Sequence, residues 1–299
     1  MQIGFLDFGS VLHSHVATIE NTIEFAKLID ELGFSRYWLA EHHENGIAWR
    51  SPEVLISVLA GFTDNIRIGT AGILLPLNSS LRVAHQFKML STLYPGRIDL
   101  GIAKGISSPD ISNELLNGFS LEDTLKEHTT RVNKLCLFLN EEVLKGESHN
   151  IEIAPLSGQK PEIWLLTTNC IDVSAALFNK TNLSLSLMHF STIDNKQRID
   201  NLLRFSEKYY YETLMELKYS ISINMIFSED KKLAEKIRAQ QLNKYMQLNV
   251  AGGVEECLEY IYKIQRDANA KEIIITPIYN SFEQKFKLSE ALALEFCKK

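Results

Sequence analysis

Residues 37 to 43 run Tyr-Trp-Leu-Ala-Glu-His-His, an apolar stretch that ends in one carboxylate and two imidazoles, Glu41, His42 and His43. A carboxylate beside an imidazole is an acid–base set that works near neutral pH. The imidazole takes up or gives a proton, and the carboxylate orients it or offsets its charge. The same side chains could instead tether a loop by hydrogen bonds, and residue types alone do not separate the two uses. What precedes them favours chemistry, because a buried strand carrying acid–base groups at its C-terminal end is how a parallel barrel presents them to a substrate.

Such a barrel needs strands alternating with helices. Short runs rich in β-branched and apolar residues predict strands at 3–8, 36–41, 67–71, 98–103, 163–167, 183–187, 220–227 and 272–276. Most are too apolar to keep a solvated face, so helices must cover them. Apolar residues at three- and four-residue spacing predict those helices at 18–32, 52–62, 81–93, 121–144, 173–178, 194–217, 230–248, 254–268 and 282–296. Asp30-Glu31-Leu32-Gly33 and Tyr94-Pro95-Gly96 are stop signals. With no repeat and no Pro/Gly-rich linker, the economical expectation is a single (β/α)8 TIM-type barrel spanning residues 1–299.

A net charge of -6 argues against sequence-independent nucleic-acid binding and leaves small molecules as the expected partners. The first residues alternate straight into a strand rather than a leader, and no apolar run reaches the roughly 20 residues that span a bilayer, so a cytoplasmic protein without a membrane partner is expected. Cys136, Cys170, Cys257 and Cys297 have neither CxxC spacing nor a paired histidine. They read as buried or incidental thiols rather than as a metal site or a disulfide framework.

At the C-terminal ends of the predicted strands stand Asp7-Phe8-Gly9-Ser10, Glu41-His42-His43, Gly69-Thr70-Ala71-Gly72, Gly101-Ile102-Ala103-Lys104-Gly105, Thr167-Thr168-Asn169 and Thr276-Pro277-Ile278-Tyr279. The small residues of the third and fourth sets admit a large flat group close to the backbone, and Lys104 offers a charge to an anion. Singly, Gly69 and Gly72 could just permit a bulge, and Lys104 could be a solvated loop lysine.

Residues 37–43, together with Gly69-Thr70-Ala71-Gly72-Ile73-Leu74-Leu75-Pro76-Leu77, Leu81-Arg82-Val83-Ala84-His85-Gln86-Phe87 and Pro95-Gly96-Arg97-Ile98-Asp99-Leu100-Gly101-Ile102, resemble successive blocks of the luciferase-like monooxygenase family in order and spacing. A weaker likeness continues through Pro161-Glu162-Ile163-Trp164-Leu165-Leu166 and Val250-Ala251-Gly252-Gly253 to residues 273–279. The resemblance implies a flavin, FMN or alternatively the deazaflavin coenzyme, with its ring in the barrel mouth and its phosphate near Lys104 and Thr167-Thr168-Asn169. It implies that His42 is the active-site histidine, that Glu41 orients it or charges the pocket, and that His43 supports them. It places a non-prolyl cis peptide at Ala71–Gly72.

Two departures stand out. Relatives commonly carry arginine at Lys104 and a small Gly-Ser-Ser-like turn at Thr167-Thr168-Asn169. A lysine binds phosphate only as a point charge. Many also carry a longer lid after the seventh strand than this chain has around residue 248, and the more open mouth suits a bulky or peptide-like substrate or a site completed by a partner subunit. The expected function is a flavin-dependent oxidoreductase, a monooxygenase using oxygen and reduced FMN from a separate flavin reductase. The alternatives are a reductase or dehydrogenase passing hydride to an activated C=C or carbonyl group, and a non-catalytic flavin-binding or subunit-like paralogue. The resemblance also implies a homodimer through helix 52–62. Of the other histidines, His13 and His15 read as loop residues near the mouth, and His85 as a helix-to-barrel hydrogen bond. His189-Phe190 is placed to wall the flavin.

Overall fold

The computed structural model of the protein describes residues 1–140, 151–173, 176, 183–188, 195–241 and 248–297. Its strands are β1 (Gln2–Asp7), β2 (Arg36–Leu39), β3 (Arg67–Leu74), β4 (Ile98–Ala103), β5 (Glu162–Thr167), β6 (Leu183–Met188), β7 (Tyr219–Phe227), β8 (Val250–Gly252) and β9 (Glu272–Pro277). All pair in parallel. β1 to β7 follow one another around the ring, and β9 joins β7 to β1 and closes an eight-stranded barrel. β8 stands outside that ring: Val250 and Gly252 pair only with Met225 and Phe227, at the end of β7 beyond its contact with β6. Three residues are too short a run to give a periodic signal in sequence.

Helices α1 (His15–Leu32), α2 (Pro52–Gly61), α3 (Ser80–Leu93), α4 (Pro109–Leu116), α5 (Leu121–Lys126), α6 (His128–Phe138), α7 (Asn195–Thr213), α8 (Lys231–Gln241), α9 (Val254–Ala268) and α10 (Phe282–Phe296) alternate with the strands. α1 starts three residues earlier than its apolar spacing suggests, because the Ser14 hydroxyl accepts from the Ala17 amide and caps it. It stops at Gly33, whose φ of 89° only glycine adopts cheaply. The expected helix 121–144 is broken at Glu127, where ψ of 2° ends α5, and residues 141–144 lie outside the described residues. α4, in the loop after β4, escaped the periodicity entirely. Most of the expected helix 173–178 and of the segment between α8 and β8 also lies outside the described residues.

Strand alternation sends one set of side chains outward under the helices and the other into the barrel. Phe5, Tyr37, Leu39, Ile68, Leu100, Leu165, Leu185, Ile223 and Ile275 belong to the outer core. Inside, Arg36 fills the floor, 2.6 Å from both Asp99 and Glu272, with its guanidinium over the Trp164 ring. Burial opposes the Arg36 charge, but Asp99 and Glu272 outweigh it and raise its pKa above the ordinary value. Above it, Trp38 and Trp164 meet edge to face at 5.2 Å. Higher still the interior residues become small, Ala40, Ala71 and Ala103, so the packed lower half gives way to an open mouth.

Candidate active site

The mouth holds a cavity of about 500 Å³, walled by Phe8, Ala40, Ala71, Gly72, Ala103, Leu166 and Met188, with Glu41, His42, His43, Glu44, Lys104, Thr167, Thr168 and Asp172 as its polar lining. Strand ends from β1 to β6 thus converge on one space. A larger groove of about 810 Å³ lies at the opposite, N-terminal end of the barrel, lined by Tyr210, Tyr211 and Lys218 among others. Its lysines are engaged in ion pairs, Lys218 with Glu162 at 2.6 Å and Lys271 with Glu216 at 3.1 Å, whereas the mouth gathers histidines, carboxylates and a lysine. The mouth is therefore the candidate site.

β2 ends at Leu39, and the ladder is extended by the Ala40 amide donating to the Asp7 carbonyl at 2.9 Å. Beyond it the three polar residues part company. Glu41 is buried, and its Oε2 accepts from the Leu74 amide at 2.8 Å, Asn78 Nδ2 donates to both its oxygens at 3.2 and 3.3 Å, and His43 Nε2 donates to Oε1 at 2.9 Å. The expectation that Glu41 orients His42 is thereby corrected: its carboxylate is already held by three groups, and its imidazole partner is His43. His42 turns the other way. Its Nδ1 lies 3.0 Å from Glu44 Oε2, and its ring meets Phe8 edge to face at 4.9 Å. The hydrogen bond from His42 is the main reason the Glu44 carboxyl is lowered to about 2.

Phe8 is held from behind. Asp7 Oδ1 accepts from the Gly9 amide at 2.8 Å, and its Oδ2 accepts from Tyr37 at 2.8 Å and is paired with the buried Lys285 of α10. Burial works against both charges of that pair. Lys285 still holds Asp7 below the usual carboxylate range, while burial takes Lys285 below the usual lysine range. Gly9 has φ of 76°, and a Cβ there would meet the Trp49 ring at 2.9 Å, so only glycine fits the turn that aims Phe8.

The peptide Ala71–Gly72 is cis, and the β3–β4 register shifts between Thr70 and Ile73. A Cβ on Gly72 would lie 2.8 Å from the Gly101 backbone. Glycine therefore lets β3 press against β4 and expose the backbone to the cavity.

Lys104 follows β4, exposed at the cavity wall. Behind it, His128 at the start of α6 is buried and its Nδ1 has no hydrogen-bond partner among the described residues. Burial, reinforced by Lys104 and Arg131, lowers its pKa to about 4, so it is neutral. Thr167 donates its hydroxyl to the Asn169 carbonyl at 2.7 Å and accepts from the Asn169 amide at 3.0 Å, so that hydroxyl serves the turn rather than the cavity. Asn169 is not part of the lining, whereas Thr168 is. His13 packs its ring on Phe282 at 6.0 Å, His15 begins α1, and His85 Nε2 lies 3.3 Å from the Glu152 carbonyl. His189-Phe190 lies outside the described residues.

The lining fits a flavin in two respects. Its inner wall is apolar and built of small residues, matching a flat ring, and its volume falls within the roughly 300–1,000 Å³ of small-molecule sites. Lys104, with Thr168 beside the same space, offers an exposed positive charge to a phosphate, while Asp172 adds an opposing carboxylate to the lining. Phe8 stands in the strand-end set Asp7-Phe8-Gly9-Ser10, whereas Glu44, Asn78 and His128 carry no motif signal.

The N-acetyl-S-alkylcysteine monooxygenase of Bacillus subtilis (strain 168) is 35% identical over 153 residues, which cover 50% of this chain and 45% of that protein. The chain spans about half the length of the curated relatives it matches. Among solved structures, monooxygenase RslO1 from Streptomyces bottropensis superposes with a TM-score of 0.82 at 19% identity, covering 98% of both chains. The oxygenating constituent of 3,6-diketocamphane monooxygenase from Pseudomonas putida, in complex with FMN, has a TM-score of 0.69 at 17% identity, covering 99% of this chain and 98% of that one. These likenesses show the fold. The sequence profile of the luciferase-like monooxygenases matches residues 1–285, and this chain belongs to that family.

Proposed function

We propose that the protein is a flavin-dependent monooxygenase that takes reduced FMN from a separate flavin reductase and acts on a small or peptide-like organic substrate. The observation that carries this reading is the projection of His42 into a cavity whose inner wall is apolar and whose rim bears Lys104. Ala40, Ala71, Gly72, Ala103 and Leu166 would hold the ring, and Lys104 with Thr168 the phosphate. When bound, reduced flavin supplies the two electrons that activate oxygen. The chain's own residues do the rest. The apolar wall keeps water from the reacting edge. Phe8 fixes the plane of His42, and His42 holds or releases a proton at Nε2 as charge develops on a substrate or oxygen atom. Glu41 and His43 tie the end of β2 to β3, so that His42 and the Ala71–Gly72 peptide keep a constant separation.

A homodimer through α2 and α3 belongs to the same proposal. These helices pack against each other, and they expose Val54 and Val58 on α2, Phe62 just after it, and Met89 and Leu93 on α3.

The test is titration of the purified protein with oxidised and reduced FMN and with the deazaflavin coenzyme, followed by stopped-flow mixing of the reduced complex with oxygen. A monooxygenase binds FMN and passes through a spectral transient between reduced and oxidised flavin. Featureless reoxidation would instead assign hydride transfer, and binding of none of the three would refute a flavin role. In His42→Ala, turnover should fall by roughly two to four powers of ten while the flavin dissociation constant stays nearly unchanged.

A further inference from the structure

The charged partner of His42 is Glu44, two residues further along the chain and outside the Glu-His-His cluster. Resting on the function proposed above, we infer that Glu44 is the positioning residue of His42: its carboxylate accepts the Nδ1 proton, leaves Nε2 as the nitrogen that exchanges protons in the cavity, and stabilises the ring when it is charged.

Four observations carry this. A carboxylate only accepts, so the 3.0 Å contact between Glu44 Oε2 and His42 Nδ1 puts the proton of the neutral ring on Nδ1. Nε2 has no hydrogen-bond partner among the described residues, while the ring lines the cavity and is braced edge to face by Phe8 with an interplanar angle of 87°. The chemically obvious alternative, Glu41, is held by the Leu74 amide, Asn78 and His43. Finally, the loop that carries Glu44 is fastened independently of His42. The Ala48 amide donates to the Gly9 carbonyl at 2.7 Å, Val11 donates to Gly46 at 2.8 Å, and Ser10 bridges Ile47.

The Glu44 carboxyl, lowered to about 2 by the hydrogen bond from His42, is an anion throughout the neutral range. Among the described residues, the other charged or titratable groups of the cavity are Glu41 and His43 from the end of β2, Lys104 after β4 and Asp172 after β5. They are common to the wild type and any Glu44 variant, so a difference between the two isolates Glu44. Because the Glu44 side chain is 60% exposed, solvent screens the pair, and its effect is modest beside that of a buried carboxylate–imidazole couple.

The experiment is nitrogen-15 NMR of the imidazoles in wild type, Glu44→Gln, Glu44→Ala and Glu44→Asp, with the His42 signal identified by its loss in His42→Gln. The wild-type neutral ring should carry its proton on Nδ1. Glu44→Ala should shift it toward Nε2, whereas Glu44→Gln, whose amide oxygen can still accept from Nδ1, should keep it there. In Glu44→Ala, kcat should fall about tenfold with KM and the flavin dissociation constant little changed, and Glu44→Asp should partly rescue it. An unchanged His42 tautomer in Glu44→Ala would overturn the inference. The NMR readout needs no flavin. A shifted tautomer in a protein that binds no flavin therefore condemns the function and keeps the pairing, and flavin binding with an unmoved His42 does the reverse.

Discussion

His42 and Lys104 occupy opposite kinds of position in one cavity: an imidazole fixed by Phe8 and Glu44, and an ammonium on a flexible stem exposed at the wall. Their tasks should separate experimentally. A lysine that binds phosphate as a point charge contributes affinity that salt weakens, because nothing shields an exposed pair from the ionic atmosphere. Lys104→Ala should therefore raise the FMN dissociation constant about tenfold at low salt and less at high salt, with kcat at saturating flavin nearly unchanged. Fluorescence titration at two ionic strengths checks this, and an affinity insensitive to both the substitution and salt would contradict the placement of the phosphate. Lys104→Arg should bind at least as tightly, since the guanidinium adds a bidentate geometry that lysine lacks.

Among the elements, α6 carries a histidine whose titration should register in stability. His128 at its N-terminus is buried and neutral, with a pKa lowered to about 4 against an ordinary value of 6.5. The unfolded chain binds a proton there at a pH where the folded one does not, so stability from this group is intact above 6.5 and falls as pH drops toward 4. At 1.4 kcal/mol per unit, the loss is roughly 2–4 kcal/mol. Urea denaturation at pH 7 and pH 5 should show it as a steeper acid decline in wild type than in His128→Phe. Parallel declines would mean that His128 does not carry it. The same helix start lies behind Lys104, so a His128 forced to charge would repel that lysine.

Across the whole molecule, the barrel divides its labour along its axis. Arg36, Asp99, Glu272, Trp38 and Trp164 fill the lower half, and alanines leave the upper half open. On the outer surface, Val54 and Val58 of α2 and Met89 and Leu93 of α3 are exposed. Placing Lys at Val58 and Glu at Phe62 should convert the proposed dimer to a monomer by sedimentation velocity, with the far-ultraviolet circular dichroism unchanged. A wild type that already sediments as a monomer at micromolar concentration would remove that part of the proposal. No helix of the described residues is long and apolar enough to cross a membrane.

The sequence by itself determined the eight-stranded barrel, because parallel strands buried on both faces must be near-continuous apolar runs and their stops are written in residues such as Gly33 and Gly96. It also placed His42, Ala71, Gly72, Lys104 and Thr168 at strand ends, which closure of the barrel then gathers around one cavity. α4, the break at Glu127 and β8 were not legible, since each is too short or too weakly periodic to outweigh its neighbours. Partner choice within the site was decided only in three dimensions. Glu41 is adjacent to His42 along the chain, yet it bonds His43, Leu74 and Asn78, because successive residues at a strand end point to different sides and the β3 bulge presents an amide to one of them. Glu44 reaches His42 because loops after β1 and β2 are fastened together, and Phe8 braces it because Gly9 turns left-handed beneath Trp49. Those contacts depend on side-chain direction and on loops meeting in space, which the order of residues along one strand does not contain.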